Sequence, residues 1–161
     1  MKSILTLALV GLFAFFDASN VFAAAPKCPS ESDKADKLVG VWQPSDGRSY
    51  IKIDKIGNKF YGRIVWLKEP MDEDGKPRVD KNNPDESLRS TPLKGYRILK
   101  DFVFDEEEGL WIDGTIYDPK NGTTYNCKIE LVDENKIEVR GYVGTSMFGR
   151  TDTWTRLQKK K

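Results

Sequence analysis

The 161-residue sequence contains no histidine, only two cysteines and three methionines, and a net charge of just +1. Without imidazole the chain lacks the commonest general base, the usual proton shuttle and the favourite transition-metal ligand. Ser-His-Asp, Cys-His and HExxH chemistry are thereby excluded. Near-neutrality supplies no field that would draw in nucleic acid or an anionic membrane surface. The length and a hydrophobic share of 39 % fit one ordinary globular domain.

The chain begins with an address. Met1-Lys2 gives a positive start, Ile4 to Phe16 is almost uninterruptedly apolar, and Ala23-Ala24-Ala25 after Val21-Phe22 offers small residues at signal-peptidase spacing. Residues 1–24 read as a cleaved export signal, because about 13 apolar residues before Asp17 are too few to span a bilayer. The mature protein is then expected in the periplasm or outside the cell, with no stable membrane span. Residues 25–37 form a polar leader, and 38–158 a single domain.

In an oxidising compartment Cys28 and Cys127 most simply form one disulfide. Closing a loop of about 100 residues would stabilise by about 4 to 5 kcal/mol in the chain-entropy model. The alternative is a small buried thiol, since Cys127 shares strand parity with Tyr125, Ile129 and Leu131. A catalytic cysteine does not fit, for no histidine exists to activate it.

From Leu38 onward apolar residues recur with period two. Ser49, Ile51 and Ile53 form one such set, Phe60, Gly62, Ile64 and Trp66 another, and Ile137, Val139, Gly141 and Val143 a third. Asp46-Gly47, Gly57-Asn58, Glu108-Gly109 and Asn121-Gly122 punctuate the runs with turns short enough to join only antiparallel neighbours. The pattern predicts strands near 39–43, 48–54, 58–67, 96–104, 110–118, 123–132, 136–143 and 150–157. A meander of that many strands hides its edges best by closing on itself. The expected fold is all-β: an eight-stranded antiparallel up-and-down barrel, whose interior is either filled or holds one small ligand.

Residues 68–94 interrupt this regularity with a proline-rich connection between strands 3 and 4, of a length that marks either a functional lid or a disordered segment. Pro84 to Arg89 has room for one helical turn. Asp72, Asp74, Asp80, Asn82, Asn83 and Asp85 crowd the loop with oxygens, but their spacing fails the EF-hand pattern and no metal is expected. The acidic run Asp105 to Glu108 reads as a solvated hairpin tip, so no catalytic residues are assigned. Trp111 and Tyr117, near Asp113 and Thr115, fit either core filling or the wall of a mixed pocket.

Gly40-Val41-Trp42 in the first strand and Thr153-Trp154-Thr155-Arg156 in the last together resemble the lipocalin-like (calycin) closure. There an arginine from the final strand stacks on the first-strand tryptophan and satisfies carbonyls at the shut end. Trp42, Trp154 and Arg156 are the expected closure residues, with Arg150 as the rival stacking partner. More specifically, GVW, then GRIVWLKEPMDEDGKPRVDKNNPDESLRSTPLKG, GTIYDPKNGTTY and VRGYVGTSMFGRTDTW resemble, in that order, the exported bacterial family called domain of unknown function 2147. The resemblance implies a secreted or periplasmic lipocalin-like barrel and supplies no catalytic residues or cofactor. That family commonly carries a cysteine where Tyr61 stands here, so no family disulfide is carried over.

Two stretches of the match exceed what strand building needs. Trp66, Lys68, Asp80, Asn82, Asn83, Asp85 and Arg89 belong to the long loop, and Tyr142, Phe148 and Arg150 to the last hairpin. A site, with Trp111 and Tyr117 in its wall, is expected where these stretches meet near one barrel end. The loop could equally fold back as a plug, its Asn and Asp side chains capping backbone groups. The leading expectation is a non-catalytic exported protein that binds a small, partly apolar or amphipathic ligand in the barrel or at its mouth. The alternative is an envelope interaction module with a filled barrel and the 68–94 loop as contact surface. An interior cavity of roughly 300 Å³ or more would favour the first.

Overall fold

The computed structural model describes residues 31–158; the export signal read over 1–24 and the expected disulfide partner Cys28 lie outside the described residues. The strands are β1 (Gly40–Gln43), β2 (Ser49–Ile56), β3 (Lys59–Leu67), β4 (Arg97–Asp105), β5 (Leu110–Asp118), β6 (Thr123–Asp133), β7 (Lys136–Tyr142) and β8 (Gly149–Arg156). Each pairs antiparallel with its neighbour in sequence. β1 also pairs with β8, Trp42 opposite Arg156 and Gln43 opposite Thr155, and the sheet closes into an eight-stranded barrel. Every strand expected from the alternation is present, its ends within two residues of the predicted ones.

The up-and-down order sorts the connections between two ends. The β2–β3, β4–β5 and β6–β7 turns share one end with both termini of the barrel. The β1–β2, β3–β4, β5–β6 and β7–β8 connections ring the other.

The first end is shut. A short helix, Glu31–Ala35, and a 3-10 turn, Asp36–Leu38, bury Ala35 and Leu38 in the core, so part of the polar leader becomes the barrel's stopper. The indole N–H of Trp42 donates to the Leu38 carbonyl at 2.9 Å. The Arg156 guanidinium lies 4.1 Å from the Trp42 ring centre and donates to the carbonyls of Lys37, Val39 and Glu134. Arg156, not Arg150, is thus the stacking partner. Burial pulls the Arg156 pKa down, and the nearby Glu134 opposes that shift. Gly40 is required by this arrangement, because a Cβ there would lie 2.4 Å from Arg156 Nη1.

Above the stopper the interior is solid. Ile53, Phe60, Phe102, Trp111, Ile129 and Ile137 are buried there, with the Phe60 and Trp111 rings edge to face at 6.2 Å. Each such side chain contributes about 1.5–3 kcal/mol by leaving water. The Trp111 indole N–H has no hydrogen-bond partner among the described residues.

Strict alternation fails at bulges. The β2–β3 register shifts between Tyr50 and Ile51, so that Ile51 faces Ile64 whereas Tyr50 faces Trp66. Trp66 is thereby moved off the inward set of Phe60, Gly62 and Ile64. It stacks on Tyr50 at 4.3 Å and is partly exposed. Asp101 in β4 and Asp113 in β5 take positive φ, 64° and 59°, and each interrupts the register of its strand.

Candidate functional site

The other half of the barrel is hollow. A cavity of about 740 Å³ opens at the loop-bearing end. Ile64, Leu67, Leu93, Ile98, Ile116, Val139 and Trp154 supply apolar wall, and Gly141 faces the space without a side chain. The bulge in β3 helps, since it places Leu67 rather than Trp66 in the wall.

The rim is polar. Asp46 and Arg48 come from the β1–β2 loop, Asp118, Lys120 and Asn121 from the β5–β6 turn, and Tyr142, Phe148, Arg150 and Asp152 from around the β7–β8 loop. Lys120 Nζ meets Asp46 Oδ2 at 2.9 Å. Burial works against the Asp46 charge, yet the Arg48 N–H and the Lys120 ammonium hold its carboxyl below the ordinary carboxylate range. Asp152 accepts from the Trp154 indole at 2.8 Å and from the Ser45 hydroxyl, which ties β8 to the β1–β2 loop. The β7–β8 loop is pinned from below by Arg140, whose guanidinium donates to the Ser146 and Met147 carbonyls and to the Thr151 hydroxyl.

The long loop is fastened by a buried polar cluster. Asp80 is 0 % exposed, accepting from the Tyr117 hydroxyl at 2.9 Å and from the Asn83 amide at 2.7 Å. The same amide donates to the Tyr96 hydroxyl at 3.0 Å, and the Tyr96 and Tyr117 rings lie 5.6 Å apart. Burial, then the hydrogen bond to Asp80 and its charge, push the Tyr117 phenol pKa well up. Asp85 caps the turn Glu86–Leu88 by accepting from the Ser87 hydroxyl and N–H, which also holds its own carboxyl low. Arg89 donates through Nε to the Asn83 carbonyl at 2.9 Å.

This cluster docks on the β5–β6 turn. Asn82 donates to the carbonyls of Pro119 and Lys120, and its own carbonyl comes so near Gly122 that a Cβ there would sit 1.9 Å away. Among the described residues no hydrogen bond joins residues 80–89 to the last hairpin. The two stretches thus share the open end without a hydrogen bond between them.

Of the residues singled out in the sequence, Tyr117, Tyr142, Phe148 and Arg150 line the cavity. Asp80, Asn82, Asn83, Asp85 and Arg89 form the buckle that holds the loop. Trp111 lies in the solid half, and Trp66 lies on the far side of its bulge. Among the described residues Lys68 is fixed only through its backbone, its N–H donating to the Arg48 carbonyl at 2.8 Å. Sequence reasoning passed over Arg48, Asp46 and Lys120; the Asp46-Gly47 and Pro119 to Gly122 turn signals could have placed them at a loop-bearing rim. Cys127 is buried in the interior and has no disulfide partner among the described residues; burial pushes its thiol pKa up to about 12.

No curated protein matches the chain. Among solved structures it is similar to protein HP1028 from the human pathogen Helicobacter pylori, which is described as belonging to the lipocalin family. The identity is 25 % and the TM-score 0.63, over 75 % of this chain and 83 % of that one. The closed meander, the helical stopper and the arginine-on-tryptophan closure all lie within the stretch that a family profile recognises or directly against it. With residues 40–156 matched, the chain belongs to the family described as "Uncharacterized protein conserved in bacteria" (DUF2147).

Proposed function

We propose that this protein is an exported, non-catalytic carrier or sensor that binds one small, partly apolar molecule in the open half of its barrel. The cavity carries the reading. Its volume of about 740 Å³ exceeds the roughly 300 Å³ below which small-molecule pockets are uncommon. Its wall is apolar where a ligand would be surrounded and polar only at the rim, the distribution that gives affinity through burial and orientation through a few directed contacts. The lipocalin-family description of the similar Helicobacter pylori protein supports the same reading by analogy of fold. Absence of histidine agrees with binding rather than acid–base turnover.

The test is titration with a neutral fluorescent apolar probe, N-phenyl-1-naphthylamine, against the wild type and a cavity-filling variant, Gly141→Trp. Saturable one-to-one binding that the variant loses supports the proposal. A wild type that gives no saturable signal removes it. Native mass spectrometry of protein from its own host adds a direct reading of any retained molecule.

A further inference from the structure

The rim of the cavity carries an imbalance that the apolar wall does not explain. Six ionisable side chains of aspartate, lysine and arginine line it: Asp46, Asp118, Asp152, Lys120, Arg48 and Arg150. All three carboxylates are already supplied with donors. Asp46 holds the Lys120 ammonium at 2.9 Å, Asp118 accepts from the Lys120 backbone N–H at 2.9 Å, and Asp152 holds the Trp154 indole and the Ser45 hydroxyl. Lys120 is consumed by the same pairing.

The two arginines differ. Among the described residues, neither the Arg48 nor the Arg150 guanidinium makes a hydrogen bond, an ion pair or a ring contact. Arg48 donates its backbone N–H to Asp46 at 3.0 Å, while its guanidinium acts on that carboxylate only through its charge. Phenolic donors stand beside them. The Tyr125 oxygen accepts from the Asn121 amide at 2.9 Å, which leaves its own O–H to donate, and the Tyr142 hydroxyl has no partner among the described residues. The rim therefore offers two guanidinium forks with unused donors, whereas each of its carboxylates already accepts a hydrogen bond.

Guanidinium is the side chain best shaped to grip a carboxylate or phosphate, because its planar fork can donate two parallel hydrogen bonds. We infer that the ligand is an amphiphile with an anionic head, a carboxylate or a phosphate, gripped at the rim by Arg48 and Arg150 while its hydrocarbon part fills the apolar half-barrel. This rests on the proposed binding function and narrows it to a ligand class. A cationic head would face the two open guanidinium forks and would have to share carboxylates that already hold donors. A neutral lipid would leave both charges without a counterpart.

The inference is tested by displacing the neutral probe with four chains of equal length below their micellar concentrations: dodecanoate, dodecyl phosphate, dodecanol and dodecyltrimethylammonium. The expected order places one or both anions at least tenfold tighter than dodecanol, with the cation weakest. Whichever anion leads identifies the head chemistry. In the double variant Arg48→Gln/Arg150→Gln the anion-to-alcohol preference should fall to near unity, with thermal unfolding reporting that the barrel is intact. Dodecanol displacing the probe as well as either anion overturns the inference and leaves the binding proposal standing. So does a preference that survives the double variant. If the wild type binds neither probe nor chain, both readings fall together.

Discussion

Lys120 Nζ and Asp46 Oδ2 meet at 2.9 Å, joining the β5–β6 turn to the β1–β2 loop. Those two connections are four strands apart in a closed ring of eight, so the pair bridges the mouth from half-way round. Both side chains are well exposed, and such a pair is worth less than about 1 kcal/mol. Under the proposed binding function its importance is to traffic rather than to stability. Lys120→Ala should speed both uptake and release of the neutral probe in stopped-flow measurements, leaving the unfolding midpoint nearly unchanged. Because the Asp46 carboxyl is held low in the folded protein, the strap is intact at neutral pH and lost as pH falls through that depressed value. Exchange rates of the wild type should approach those of the variant only in strong acid. Identical rates in the two proteins at neutral pH would refute the strap.

The shut end should be the stability determinant. Arg156→Lys keeps the charge and loses the fork that reaches three carbonyls, and it weakens the contact with Trp42. The expected cost is about 2–4 kcal/mol in urea unfolding, from charge-assisted hydrogen bonds and a cation–π contact. Gly40→Ala pushes a methyl into the same guanidinium and should cost about 1–3 kcal/mol. The two changes damage one contact, so the double variant should fall well short of the sum. Full additivity would show that Gly40 serves another purpose.

Tyr117→Phe removes one of the donors that Asp80 accepts from in a fully buried position. An orphaned buried acceptor costs about 1–3 kcal/mol. The loss should appear locally, as faster hydrogen exchange at the Asp80 and Asn83 amides before any change at β6. The pH sign is also fixed. The Tyr117 phenol is raised in the folded protein, so its contribution is complete below the ordinary tyrosine value near 10 and is lost as pH climbs through the folded value. Tyr117→Phe should flatten the alkaline limb of stability against pH. An unaltered limb would assign that limb to other groups.

Asp101 and Asp113 both sit in left-handed backbone, at φ 64° and 59°, yet they should respond differently to glycine. Asp101 accepts from Lys59 and from the Tyr61 hydroxyl, and these contacts hold its carboxyl low. Among the described residues Asp113 has no such partner. Asp113→Gly should raise the unfolding free energy by about 0.5–1 kcal/mol by relieving αL strain, whereas Asp101→Gly should gain less or lose. The reverse order in calorimetry would contradict this assignment.

Cys127 should be silent in the native state. With burial raising its pKa to about 12, almost none is thiolate near neutrality, and alkylating reagent cannot reach it. Peptide mass spectrometry should find it unlabelled in buffer and fully labelled in urea without reductant. Labelling that appears only after reductant is added would instead reveal a cross-link to Cys28.

The barrel and its shut end were legible because both rest on short-range rules. Period two fixes which residues face inward, short turns fix neighbours, and Trp42 with Arg156 announces the closure. Bulges were not legible. A single extra residue on β3 takes Trp66 out of the set that Phe60 and Ile64 define, and nothing in the local residue types around Val65 signals it. The loop's polar residues were visible as a group, but Asp80 binds Tyr117 across 37 positions, a pairing that only the tertiary fold determines. That Arg48 and Arg150 have no guanidinium partner among the described residues is likewise a property of what surrounds them, since each rim carboxylate accepts from some other group.

The closure bonds of Arg156 to Val39 and Lys37 span 117 and 119 positions of the chain. Whether the polypeptide leaves a ribosome or threads through a pore, its first strand must wait for its last. No cylinder exists until residue 156 has emerged, and until then the growing segment offers only open hairpins with bare edges. Late completion of this kind keeps the chain threadable through most of its synthesis and makes the C-terminal strand the step that commits it to a finished shape.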